Sequence, residues 1–123
     1  MTARFLTFTV LLMLPAALAA ADPHPRCFST TEMNGWRSAD GRSIYIRIGA
    51  NRYYRIGLAR ECSTLRSINP HLVLRTRGGN TICSALDLDV KASQGGILEP
   101  CFPKTLTELS VAEAGALSRD ERP

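Results

Sequence analysis

Apolar and polar side chains alternate along two neighbouring stretches of the chain, Ser43 to Ile48 and Tyr53 to Leu58. Ile44, Ile46 and Ile48 are interleaved with Tyr45 and Arg47, and Tyr54, Ile56 and Leu58 with Tyr53, Arg55 and Gly57. A period of two marks strands with one face buried. With Gly49-Ala50-Asn51 as a three-residue loop and Asn51 in its left-handed position, Ile46 faces Tyr54 and Ile44 faces Ile56. The opposite face then carries Tyr45 across from Arg55 and Arg47 across from Tyr53. One side of this hairpin seeks a core, and the other is basic and aromatic.

The remaining patterns are shorter. Cys27 to Trp36 reads as a short strand or turn that brings Phe28, Met33 and Trp36 to the core, and Ala39-Asp40-Gly41-Arg42 as a tight turn into the hairpin. Asn69-Pro70 is a turn signal. Gly78-Gly79 reads as a hairpin loop between His71–Arg77 and Asn80–Ala85, which sets Leu74 opposite Cys83 on the inner side. Leu86, Leu88 and Val90 then point inward, with Asp87 and Asp89 forming an acidic outer edge. Ile97 to Phe102 contains Pro100, which has no N–H to donate, so that strand belongs at an edge or a bulge. Ser110-Val111-Ala112-Glu113 fits a capping box and predicts a helix over Ala112 to Leu117, docked through Val111 and Leu117. The elements add up to a mainly β protein: a small curved antiparallel sheet or partly open barrel with one short C-terminal helix, stapled by disulfides.

The start of the chain changes the picture. Arg4 precedes an apolar run from Phe5 to Leu14, and both Ala17-Leu18-Ala19 and Ala19-Ala20-Ala21 fit the small-x-small cleavage rule. Residues 1–21 therefore read as a signal peptide, 22–117 as a single β-rich domain and 118–123 as a flexible tail. The run is shorter than the roughly 20 residues of a membrane span, and no cysteine directly follows it. The expectation is an exported chain, periplasmic or secreted, soluble once the leader is cleaved and without a lipid anchor or transmembrane segment.

All four cysteines, Cys27, Cys62, Cys83 and Cys101, fall in the exported part, an even number where disulfides persist. A zinc site fits less well, because the intervening stretches of 34, 20 and 17 residues contain no C-x2-C pair and the only histidines are His24 and His71. Three connectivities are open; the preferred one joins Cys27 to Cys101 and Cys62 to Cys83. No metal and no cofactor is expected. His24, third after a cut at Ala21, resembles an amino-terminal copper ligand, but Pro23 lacks the amide proton that such a site must lose.

Charge is uneven. From Arg26 to Arg77 ten arginines meet three acids, a balance of +7, whereas from Gly78 to Pro123 four basic residues meet seven acids, a balance of −3. A basic half can attract an anionic partner, but an ordinary solvated face is the favoured reading, since charge balance bears on solubility more readily than on function. Tyr45, Arg47, Tyr53 and Arg55 are the candidate binding residues, with Arg42 and Arg75 as candidate extensions, since guanidinium and phenol groups side by side suit carbohydrate, phosphate-bearing polymers or an acidic protein. Nucleic acid would suit the same face, but export argues against it. Trp36 reads as core or rim packing ahead of a stacking platform, and His71 as a surface or capping residue.

No G-x-S-x-G, H-E-x-x-H, P-loop or C-x-x-C occurs, and Ser84 has no base in view. Catalysis would need Glu32, Asp40, Glu61, Asp87 or Asp89 to converge in space. No catalytic residue is assigned. The expected function is a non-catalytic envelope module, binding or structural, that meets an anionic envelope component or an exported protein. The rivals are an inhibitor or assembly partner of an exported enzyme and a hydrolase built on those carboxylates.

The chain also resembles a family of small exported bacterial proteins catalogued only as a domain of unknown function. The likeness rests on Cys27-Phe28, Gly35-Trp36, Ile44-Tyr45-Ile46-Arg47, Tyr53-Tyr54-Arg55-Ile56, Leu58 with Cys62 and Leu65, Gly79 with Ile82-Cys83, Leu86-Asp87, Cys101, and Leu109-Ser110-x-x-Glu113. It spans nearly all of the chain after the leader. Such membership implies export and a compact domain, and brings no activity and no catalytic residue.

Overall fold

The computed structural model describes residues 25–123. The signal peptide read at residues 1–21 and the arm from Asp22 to His24 lie outside the described residues. Nine strands follow in chain order: β1 (Phe28–Ser29), β2 (Met33–Arg37), β3 (Ser43–Ile48), β4 (Arg52–Leu58), β5 (His71–Thr76), β6 (Thr81–Ile82), β7 (Leu88–Gln94), β8 (Ile97–Cys101) and β9 (Pro103–Glu108). One helix, α1 (Val111–Gly115), comes last. The strands form a four-stranded sheet ordered β2-β3-β4-β9, a three-stranded sheet ordered β5-β7-β8, and the small pair β1-β6. All pairings are antiparallel, and neither sheet closes into a barrel.

The β3–β4 hairpin has the register its alternation predicts. Ile44 faces Ile56, Ile46 faces Tyr54, Tyr45 faces Arg55 and Arg47 faces Tyr53. Ile44, Ile46, Ile48, Tyr54 and Ile56 are fully buried and meet Leu88, Val90 and Ala92 of β7, Leu106 of β9, and Phe28, Leu65 and Ile82 in one cluster. Each such side chain contributes about 1.5–3 kcal/mol over its exposed state, which pins the register, because a slip of one residue would turn the whole row to solvent. The left-handed residue of the loop is Gly49 (φ 62°), not Asn51. Glycine takes this conformation without a Cβ penalty, and the Gly49 N–H donates to the Glu32 carbonyl at 2.9 Å, which anchors the turn to the residue just ahead of β2.

The second predicted hairpin is not formed. β5 pairs with β7, so Leu74 faces Val90 rather than Cys83. Leu88–Gln94 buries Leu88, Val90 and Ala92 in one row, whereas Asn80–Ala85 offers Ile82 fully and Ala85 in part, and the longer apolar row wins the pairing. Residues 77–87 become an excursion closed by the Arg77 N–H on the Asp87 carbonyl at 2.8 Å. Within it Gly78 and Gly79 make the turn, and β6 reaches across to β1, with Phe28 opposite Ile82. Leu86 does not point inward either: Ala85–Asp87 is a 3-10 turn, the alternation breaks there, and Leu86 is 86% exposed. Pro100 does sit on an edge strand, β8.

The disulfides join Cys27 to Cys83 and Cys62 to Cys101, which corrects the preferred pairing. The reason is the β1–β6 register. Phe28 lies across from Ile82, so the residues one step outward, Cys27 and Cys83, meet across the same ladder. Cys62, just beyond β4, then meets Cys101 at the end of β8 and ties the larger sheet to the smaller. Cys83 is exposed rather than on the inner face.

The capping box of α1 forms: Ser110 Oγ accepts from the Glu113 N–H and Glu113 Oε1 from the Ser110 N–H. Val111, expected as the docking residue, is 92% exposed, and Ala114 and Leu117 are the half-buried ones. The end of the chain, read from sequence as a flexible tail, turns back on itself. The Glu121 and Arg122 N–H groups donate to the Ser118 carbonyl, and Pro123 comes to rest over Gly35 of β2, 3.7 Å from where a Cβ would stand.

Candidate binding face

Directly opposed residues of an antiparallel sheet share a face, so the outer side of the larger sheet can be read from its register. One row runs Gly35, Arg47, Tyr53, and the next Arg37, Tyr45, Arg55, Thr107. The four candidate residues are thus together on one surface, joined by Arg37, which sequence reasoning omitted. Its position followed from β2, whose pairing to β3 carries a bulge between Met33 and Gly35 that hides the register.

The face is only partly open. Arg55 is exposed, while Tyr45, Arg47 and Tyr53 are half-buried. Burial pushes the Tyr45 phenol above its ordinary value, the Glu121 carboxylate adds to the rise, and Arg55 opposes it. Arg47 Nε is buried with no hydrogen-bond partner among the described residues. A buried unpaired donor of this kind costs about 1–3 kcal/mol, so the guanidinium is held short of an acceptor.

Beside β2 a cleft of ≈ 710 Å³ is lined by Trp36, Arg37, Leu65, Arg66, Asn69 and Asp120. Trp36 packs its partly buried ring against the core from the edge strand, as the rim reading has it. Arg66 is committed to Glu61 at 2.9 Å. Asn69 holds a left-handed backbone (φ 53°) ahead of Pro70.

A second cluster escaped the sequence. Arg52 stands in the inward row of β4 with Tyr54, and Glu108 lies across from Tyr54 on β9. Arg26 grips Glu108 through Nε at 2.8 Å and Nη2 at 2.6 Å, and Arg52 Nε lies 3.6 Å from the same carboxylate. The Tyr54 hydroxyl donates to the Arg26 carbonyl at 2.9 Å, and Arg52 donates to that hydroxyl and to the Cys27 carbonyl. The hydrogen bond from Arg26 holds the Glu108 carboxyl below its usual range, against the opposing effect of burial. Counting by twos from Tyr54 places Arg52 inward. A lone inward arginine demands a carboxylate, and that was the available signal.

The carboxylates considered for catalysis are dispersed. Glu32 caps Ser29, Asp40 accepts from the Arg42 and Ser43 N–H groups, and Glu61 pairs with Arg66. Asp87 accepts from the Cys83 and Ser84 N–H groups at 2.8 and 2.9 Å, and these hydrogen bonds lower its pKa. Asp89 faces Lys91 at 3.8 Å. No group of three metal-ligating side chains gathers, and no helix is long and apolar enough to cross a membrane, among the described residues.

Fold and face together define a small two-sheet β protein with two disulfides and a basic, aromatic outer surface. The chain belongs to a family of unknown function (DUF6491), whose model spans residues 1–123. No curated protein and no solved structure matches it.

Proposed function

We propose that this chain is an exported, non-catalytic module of the cell envelope that binds an anionic partner through Tyr45, Arg47, Tyr53 and Arg55. The observation that carries the reading is the β3–β4 register, which gathers two arginines and two tyrosines on the face turned away from the core. Strand positions are rigid, so the charged groups are presented with little ordering left to do on binding. Two disulfides fit an oxidising compartment, and the leader-like residues 1–21 fit export. The test is capture of components from envelope extract on immobilised protein across a salt series. Replacing Arg47 and Arg55 together by alanine should reduce capture at least about tenfold, or 1.4 kcal/mol, and unchanged capture refutes the assignment of this face.

A further inference from the structure

The larger sheet ends at β2, and the cleft of ≈ 710 Å³ lies along this edge strand, between it and the connection that runs from the 3-10 turn Ser63–Arg66 to β5. Its volume falls among those of small-ligand sites, about 300–1,000 Å³. Two consecutive residues of opposite orientation meet there. Trp36 stands across from Ile46 in the inner row and lines the cleft from the core side, half-buried, whereas Arg37 stands across from Tyr45 and enters from the outer side.

Part of the polar lining is already engaged. Ser38 Oγ donates to the Ser43 carbonyl at 2.7 Å, Ser67 Oγ to the Thr64 carbonyl at 2.5 Å, and Arg66 holds Glu61. Arg37, Asn69 and Asp120 differ: they are exposed, and among the described residues their side chains take part in no hydrogen bond and no ion pair. Arg37 and Asp120 thus line one cleft with opposite charges and still do not pair. Asn69 is the one non-glycine among the described residues with a left-handed backbone, φ 53°, directly ahead of Pro70, where extended backbone is the rule. Uncommon backbone states of this kind recur at ligand sites.

This set of groups selects among ligands. An anion would meet Asp120 as well as Arg37. A wholly apolar ligand would leave the guanidinium, the amide and the carboxylate without partners. A peptide strand adding to the edge would find only Trp36 and Arg37 of β2 along the cleft before the chain turns away at Ser38. An uncharged sugar satisfies all of them. Each hydroxyl both donates and accepts, so neighbouring hydroxyls serve the guanidinium and the carboxylate together, the amide takes either role, and the C–H face of the ring packs on the tryptophan.

We propose that this cleft is a saccharide site for a short uncharged oligosaccharide, with Trp36 as its apolar wall and Arg37, Asn69 and Asp120 as its hydrogen-bonding groups. It borders the outer face at Arg37 but does not depend on an anionic partner binding there.

Trp36 is the only tryptophan of the chain, so its fluorescence reports on the cleft without a label. The probes are cellotriose, maltotriose and tri-N-acetylchitotriose, titrated singly into the full chain beside L-alanine as a zwitterion and inorganic phosphate as an anion. At least one trisaccharide should give a saturable change with a Kd of the order of mM or lower, little altered between about 0.05 and 0.5 M salt because the ligand has no charge to screen. Asn69→Gly keeps the left-handed backbone and removes the amide. It and Asp120→Ala should each weaken binding about fivefold or more, the effect of losing one hydrogen bond, with near-UV circular dichroism unchanged. Should Asn69→Gly fail to fold, the exposed Asp120→Ala decides alone. No response to any trisaccharide, a response to phosphate or alanine only, or sugar binding unchanged in either folded variant overturns the proposal.

Discussion

The two faces of the β3–β4 hairpin share a backbone, a register and a loop, yet differ in nearly every other respect. On the inner face Ile44, Ile46, Ile48, Tyr54 and Ile56 have no contact with solvent and interlock with residues from β1, β6, β7 and β9. On the outer face Tyr45 stands across from Arg55 and Arg47 across from Tyr53, and these four are half-buried or exposed. The inner row holds the protein together by burial of apolar area, which scales with methylenes removed from water. The outer row adds less to stability, since ionic contacts that keep solvent exposure contribute at most about 1 kcal/mol.

Substitutions should separate these roles, beginning with the largest effect. Ile46→Ala leaves a cavity under the sheet and should cost about 2–5 kcal/mol in chemical denaturation, and a loss under 1 kcal/mol would mean that the inner row is not the core. Gly57 faces outward between Ser43 and Thr105, where a Cβ would collide with Thr105 Oγ1. Gly57→Ala should cost about 1–3 kcal/mol by overpacking, and a companion Thr105→Ala should recover much of it in the same assay.

The Glu108 cluster lies where the two faces meet the N-terminal strand. Glu108→Gln should destabilise by about 1–2 kcal/mol, less than for a fully buried pair because the carboxylate keeps some solvent contact. Its pH dependence has a definite sign. The folded carboxyl lies below its ordinary value of 4.5, so its stabilisation is present above pH 4.5 and is lost as pH falls through the lower, folded value. Melting curves between pH 5 and about 2 should therefore be less steep in pH for Glu108→Gln than for the parent. The smallest effect belongs to Arg55→Ala, which should stay within about 0.5 kcal/mol of the parent in denaturation while weakening capture of the anionic partner.

The same division explains what could be read from the sequence. The hairpin was legible because both strands alternate and a short loop limits the registers available, and the capping box of α1 was legible because it is local. The disulfide partners were not, since Cys27 meets Cys83 only through the two-residue β1–β6 ladder formed far apart in sequence. Gly78-Gly79 has the chemistry of a hairpin loop and does turn the chain, but into an excursion, because the apolar row of β7 outcompetes Ile82 and the half-buried Ala85. β9 has only Leu106 to mark its buried side, too short a pattern to register. Tyr45, Arg47, Tyr53 and Arg55 share one surface, as their alternation predicts, but the C-terminal turn that brings Pro123 against Gly35 was invisible. Polar chain without periodicity carries no signal of where it docks.

Charge reversal at Arg55, the exposed member of the outer row, tests the separation of the two faces most directly. Capture from envelope extract and the melting temperature are measured on the same Arg55→Glu preparation. Capture should be lost at low salt while the melting temperature stays within about 4 °C of the parent, the shift that roughly 0.5–1 kcal/mol produces in a domain of this size. Undiminished capture, or a fall in melting temperature as large as that of Ile46→Ala, would contradict the division of labour between the faces.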